Sequence, residues 1–214
     1  MYSIRNEKTI IFEDLSINLV KGFAYQTLVN NTVNYNKDYF DKYVKMENTT
    51  IAKKLNTFRT SITKKYCKNL LDIGIGSGEF IKNSKIKVYG YDINPYGIEW
   101  LNAKSLFLDP YKQKINHIEG LTFWDSLEHF YEPSELLNKL KKGQYIFISL
   151  PIFDNIMQIK KSKHYRPDEH LSYFTCEGFI LFLEKLNFDV VEISSEEIKS
   201  GRTDILTFVA CKQK

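Results

Sequence analysis

The stretch Leu70-Leu71-Asp72-Ile73-Gly74-Ile75-Gly76-Ser77-Gly78 breaks from an apolar run into three glycines at alternate positions. Glycine loses the most conformational entropy on folding, so such a run after a strand marks a backbone that turns sharply and lets another group come close. A small polar ligand is the expected visitor. Asp92 ends the next apolar run, 20 residues after Asp72, where a carboxylate can accept hydrogen bonds from both hydroxyls of a ribose. The loop amides and the helix start behind them suit a carboxylate or a phosphate. An adenosine-bearing ligand satisfies both demands. Glu128, His129, His164 and His170 are the side chains able to take a proton from a second reactant near neutral pH.

These groups need elements to position them. Strands are expected at Asn69–Ile73, Lys87–Ile93, Ser105–Leu108, Gly120–Trp124 and Gln144–Leu150, with a closing antiparallel pair at Phe188–Ile193 and Asp204–Cys211. Helices are expected from Gly78, from Pro95, over Ser134–Lys141 and after the cap Thr175, with Asn187 as a left-handed stop. Ile51, Leu55, Phe58, Ile62 and Tyr66 recur at helical steps and put one apolar face on residues 37–67. That helix either packs on the sheet or, with the Tyr35–Tyr43 segment, closes over the ligand.

The alternation of strands and helices implies a doubly wound, Rossmann-like α/β fold. Its sheet is expected to have seven strands, mostly parallel, with an antiparallel C-terminal strand. Open α/β sheets bind ligands at the carboxyl ends of their strands. Asp72, Asp92, Asp109 and Asp125 all fall at such ends and should converge on one edge. Residues 1–36 hold β-prone pieces, Thr9–Phe12 and Phe23–Tyr25, and turns near Asn30, Asn31, Asn34 and Asn36. They are expected to form a small β-containing appendage, with residues 37–214 as the main domain.

Composition excludes several classes. A net charge of +4 from 30 basic and 26 acidic residues is too mild for a dedicated nucleic-acid binder. Three dispersed cysteines, Cys67, Cys176 and Cys211, give neither a disulfide framework nor a zinc motif and suit a reducing, cytoplasmic setting. No apolar run approaches the length of a membrane span. The run Lys160–Arg166 reads as a solvated loop, or as a grip for an anionic reactant.

The glycine spacing separates two adenosine ligands. A dinucleotide loop reads Gly-x-Gly-x-x-Gly, whereas here an acid precedes Gly-x-Gly-x-Gly, which disfavours NAD. "LDIGIGSGEF" and "VYGYDIN" resemble the first two motifs of the class I S-adenosylmethionine-dependent methyltransferases. "TFWDSLEHFYEPSELLNKLKKGQYIFISLP" and "DEHLSYFTCEGFILFLEKLNFDVVEI" are similar to later motifs of the subgroup related to ubiquinone-pathway O-methyltransferases.

The resemblance covers roughly residues 37–214 and implies S-adenosylmethionine as cofactor. By position, it implies that Gly74, Gly76 and Gly78 cradle the methionine part, with Asp72 ordering the loop or meeting the amino group. Asp92 would hold the ribose, Ile93 would pack on the adenine, Leu108 and Asp109 would lie at the adenine edge, and Trp124 and Asp125 would line the far side. His129, His170 and Glu128 are the catalytic candidates. In related enzymes the acid-x-x-Glu-His segment can host a divalent cation, matched here by Asp125, Glu128 and His129, but ordinary loop roles are the simpler expectation and no metal is assigned. The function implied is methyl transfer to a small-molecule acceptor, at oxygen or nitrogen, in preference to a macromolecule. The alternative is a non-catalytic S-adenosylmethionine-binding module or partner subunit.

Overall fold

The computed structural model describes residues 2–28 and 33–214. Asn30 and Asn31, two of the expected turn residues, lie outside the described residues. The first 28 residues supply three short strands, β1 (Ile10–Phe12), β2 (Leu15–Asn18) and β3 (Phe23–Gln26). Two helices follow, α1 (Lys37–Met46) and α2 (Thr50–Lys64). They are separate because Asn48 adopts a left-handed φ of +64° and Thr49 caps a new start, its side chain accepting from the Ala52 N–H at 3.2 Å.

The remaining elements are β4 (Asn69–Ile73), α3 (Glu79–Asn83), β5 (Lys87–Tyr91), α4 (Pro95–Ala103), β6 (Gly120–Trp124), α5 (Ser134–Leu137) and β7 (Tyr145–Pro151). After these come β8 (Ser172–Phe174), α6 (Cys176–Lys185), β9 (Phe188–Ser194), α7 (Glu196–Lys199) and β10 (Ile205–Lys212). α5 is shorter than the expected Ser134–Lys141, because beyond Leu137 the chain tightens into turns in which Lys139 donates to Leu136 O and the Lys141 N–H is taken by Gln144 Oε1.

The main sheet has the order β5-β4-β6-β7-β10-β9. β5, β4, β6 and β7 run parallel, and β10 is antiparallel to both of its neighbours. The expected antiparallel end of the sheet is therefore present, but the sheet has six strands where seven were expected. Ser105–Leu108 contributes a single parallel bridge, Phe107 to Gly90. Ser105 at a φ of +56° and the Asp109-Pro110 step confine that extended piece to a few residues.

Inward side chains alternate between two faces. Leu71, Ile73, Leu121, Phe123, Ile146 and Ile148 pack under α5 and α6, while Leu70, Trp124 and Phe147 pack under α2 and α3 with Ile62 and Phe80. Covering both faces makes the parallel strands continuously apolar. The strand order reverses between β4 and β6, which opens a crevice at their carboxyl ends.

The N-terminal strands are less separate than an appendage. β8, which comes from the 37–214 region, completes their sheet in the order β1-β2-β3-β8. Ile4, Phe23 and Tyr25 are buried in the same core as Phe174, Phe179 and Phe182.

Candidate active site

The crevice holds a cavity of about 690 Å³. Its floor is the glycine loop, where Gly74, Gly76 and Gly78 take φ values of +79°, +56° and +75°, a region that side chains with a Cβ enter at a cost. The three do different work. A Cβ on Gly74 would lie 2.9 Å from Ser126 Cβ and one on Gly78 would lie 2.7 Å from the Trp100 ring, so these two glycines serve packing within the chain. Gly76 alone has room, with the Tyr43 ring 3.5 Å away. Gly74 and Gly76 line the cavity and Gly78 does not.

Four carboxylates line this space, Asp72, Glu79, Asp92 and Asp125, and the three aspartates sit at strand ends. Asp92 Oδ1 accepts from the Asn94 N–H at 2.8 Å. Burial raises its pKa, opposed by the backbone N–H groups of Asn94, Ile75, Ile93 and Gly76. Asp72 is fully buried and has one close donor, the Thr122 hydroxyl at 2.6 Å. Burial pushes it up to about 7, against the pull of that hydroxyl and of Arg59.

Asp125, at a φ of +57°, receives both ends of the Arg202 guanidinium at 2.6 and 2.9 Å and Arg59 at 3.3 Å. Burial opposes its charge, yet Arg202 and Arg59 hold the carboxyl below its usual range. The same two arginines grip Glu197 at 2.6 and 2.8 Å, and Ser149 donates to Glu197 at 2.8 Å. Arg59, whose guanidinium also stacks over Trp124 at 4.8 Å, and Arg202 both line the cavity. Neither stood out in the sequence, because Arg59 lies beside an apolar helical stripe and Arg202 lies in a link between strands.

The surroundings of Glu128 are different. Glu128 is 2% exposed, and neither of its carboxylate oxygens has a hydrogen-bond partner. Its donor atom and those of His129 and His170 lie within 4.8 Å of one another, and the two imidazole rings meet edge to face at 4.9 Å. Burial, with the charge of Asp125, raises Glu128 well above the ordinary carboxylate range. Burial lowers His129, and burial with His129 and Arg166 nearby lowers His170 to about 3. Neutral imidazoles beside an unpartnered carboxyl group form a donor set for a proton or for a divalent cation. Asp125 stays outside that set, held by its arginines.

The other expected residues are placed as follows. Ile93, Trp124 and His129 line the cavity, whereas Glu128 and His170 are buried behind His129 and do not. Leu108 and Asp109 are buried behind it, and Tyr111, whose N–H donates to Asp109 Oδ1 at 2.9 Å, lines it instead. His164 Nε2 is bonded to Thr203 O at 2.8 Å, and its backbone meets the His170 ring. In the basic loop Lys160 pairs with Glu13 and Asp14, and Arg166 pairs with Glu169.

Tyr35, Tyr39, Phe40, Tyr43 and Met46 form the roof. Asn94 holds that roof at one end through Asn36 O at 3.2 Å, and Lys82 holds Glu47 at the other at 2.6 Å. Ile62 of α2 packs on the sheet, as in the first of the two expectations for this helix, while Leu55 and Arg59 line the cavity.

A family model described as a methyltransferase domain matches residues 40–193. The chain belongs to this methyltransferase family. S-adenosylmethionine is the cofactor that goes with the family and with the Rossmann-like sheet. Among solved structures, the chain is similar to a SAM-dependent methyltransferase from Archaeoglobus fulgidus, with 22% identity, 81% of this chain and 99% of that chain covered, and a TM-score of 0.57. It is also similar to the 1,6-didemethyltoxoflavin-N1-methyltransferase of Burkholderia thailandensis, at 13% identity, 90% and 96% coverage and a TM-score of 0.56. The [4+2]-cyclase SpnF is similar as well, at 12% identity, 72% and 79% coverage and a TM-score of 0.52. At these identities the likenesses establish the fold. No curated protein matches the chain in sequence. Among the described residues, no helix of this methyltransferase-family chain is long and apolar enough to cross a membrane.

Proposed function

We propose that the protein transfers a methyl group from S-adenosylmethionine to a small-molecule acceptor at oxygen or nitrogen. The observation that carries this reading is that the glycine loop with Asp92, and Asp125, Ser126 and His129, line one partly open cavity of about 690 Å³, a size suited to small ligands. S-adenosylmethionine supplies a methyl group already activated on a sulfonium, so the protein's own contribution is mainly alignment and proton handling.

In this reading Asp92 holds the ribose hydroxyls and Ile93 lies along the adenine. Gly74 and Gly76 give backbone access to the methionine part, and Asp72 meets its amino group. Trp124 and Asp125 bound the far side, with Asp125 kept ionised by Arg202. Asp125 and Glu128 are three residues apart and are pushed in opposite directions, Asp125 down and Glu128 up, the separation that assigns different roles to neighbouring acids. His129 and His170, with Glu128 behind them, take the proton from the acceptor. The same three residues would hold a divalent cation, which would polarise an acceptor oxygen. The unpartnered Glu128 oxygens support that use.

Titration calorimetry with S-adenosylmethionine tests the cofactor half. Asp92→Ala should weaken binding by about 100-fold, from the loss of hydrogen bonds to a charged acceptor, while cooperative thermal unfolding is retained. Unchanged affinity would remove Asp92 from the ribose role, and tight binding of NAD in place of S-adenosylmethionine would overturn the reading as a whole.

A further inference from the structure

The small N-terminal sheet ends in an open edge that the cavity does not use. Among the described residues β1 pairs only with β2, through Ile10 with Ile17, Ile11 with Ser16 and Phe12 with Leu15. The hydrogen bonds fix which way its backbone groups point. Thr27 N–H donates to Asp14 O and Gln26 N–H donates to Leu171 O, so along β2 the backbone groups of Leu15 and Ile17 face β1. Phe12 and Ile10 answer them, and the N–H and C=O of Ile11 are left pointing at the open edge.

That edge is short, three residues, but among the described residues nothing covers it. Thr9 to Phe12 contains no charge and no proline, and its register with β2 runs without a bulge. Ile10, Ile11 and Phe12 are 50%, 75% and 41% exposed. Ile10 and Phe12 share a sheet face with Ile17 and Leu15, which are buried with Phe153, Ile156 and Ile159. The covered apolar face thus runs out, uncovered, to the edge.

We infer that a second copy of this chain pairs antiparallel with β1 across a two-fold axis through Ile11. The outward N–H and C=O of Ile11 set this register, because directly opposed residues of a bonded pair exchange both hydrogen bonds. Ile10 then faces Phe12 of the second copy, and Phe12 faces its Ile10, continuing the apolar row in both directions. Lys8, exposed and without an ion-pair partner among the described residues, lies opposite the acidic Glu13-Asp14 turn of the second copy. Such an isologous contact closes on itself and leaves neither β1 edge open.

Sedimentation velocity of the full chain at rising concentration should shift the apparent mass from 25.2 kDa toward about twice that value. Ile11→Lys should stay monomeric over the same range, with a melting midpoint that matches the wild type at concentrations where both are monomeric. Under mild oxidant Ile11→Cys should cross-link into a covalent dimer, since opposed Cα atoms of a bonded pair lie about 5.5 Å apart. Ile10→Cys, which faces Phe12 and not its own copy, should cross-link several-fold less, with the wild-type chain as the control for the native cysteines. A wild-type chain that remains monomeric throughout, a dimer indifferent to Ile11→Lys, or equal cross-linking at positions 10 and 11 would overturn the inference.

Discussion

The two ends of the site treat carboxylates in opposite ways. At the cofactor end Asp92 is met by a backbone N–H and Asp125 by two guanidinium groups. Behind His129, Glu128 is buried and neither of its carboxylate oxygens meets another residue's donor among the described residues. Leaving a buried polar group unpaired costs free energy that a chain gains nothing from keeping for stability alone. The contrast separates a region built to be complete before its ligand arrives from one completed by a proton, a cation or the acceptor itself. Asp72 stands between these extremes, because one hydroxyl is too little to keep a fully buried carboxyl ionised.

The largest expected effect tests the incomplete end. Glu128→Gln, assayed with an acceptor identified by transfer of labelled methyl, should lower kcat by about 10²- to 10⁴-fold, the usual range for a positioned proton acceptor. Affinity for S-adenosylmethionine should stay within about twofold, because Glu128 does not line the cofactor floor. A loss of cofactor affinity equal to the loss of turnover would erase the distinction between the two ends.

A smaller effect tests the intermediate residue. Asp72 titrates near 7 in the folded chain, against 3.8 without burial. Between those values the native state holds a proton that the unfolded chain has released. The stability linked to Asp72 is therefore fully present below pH 3.8 and is lost as pH rises through about 7. The slope is about 1.4 kcal/mol per pH unit. Asp72→Asn keeps an oxygen for the Thr122 hydroxyl and removes the titration, so in urea unfolding it should gain on the wild type by on the order of 3 kcal/mol between pH 4 and 7. Parallel pH profiles for the two proteins would mean that Asp72 is already ionised and belongs with Asp92 and Asp125.

The same division shows in what could be read from the sequence. β4, the loop, β5 and β6 were legible because apolar runs, glycines and strand-end acids are local signals, and Asp72, Asp92 and Asp125 do meet at one sheet edge. β2 and β8 were not legible. Ser172–Phe174 is three residues long and becomes a strand because Phe23–Tyr25 lies on one side of it and the Ile152 bridge on the other. Arg59 and Arg202 were missed because they are 143 residues apart and acquire meaning only when Asp125 and Glu197 are between them. The joining of Glu128 and His129 with His170 depends on a long-range contact of the same kind, fixed by the Leu171 N–H donating to Glu128 O at 2.7 Å. Spacing in sequence shows that these residues are present, and only packing shows that they meet.

The smallest effects test whether the complete end is complete by packing or by ligand. Gly78→Ala would set a Cβ 2.7 Å from the Trp100 ring at a φ of +75°, combining backbone strain with overpacking, and should cost about 2 kcal/mol of stability. Gly76→Ala meets Tyr43 only at 3.5 Å, so its cost should be the backbone strain alone, about 1 kcal/mol. Cofactor affinity should fall in the opposite order. Gly76→Ala places a methyl group on the cavity floor and should weaken S-adenosylmethionine binding about 10-fold, the effect of roughly 1.4 kcal/mol of lost contact. Gly78→Ala, which lies outside the lining, should leave affinity nearly unchanged once corrected for the unfolded fraction. Urea unfolding and titration calorimetry on the two variants would separate the terms. If both effects track together in both variants, the loop acts as one unit, and the separate packing and ligand roles of its glycines are wrong.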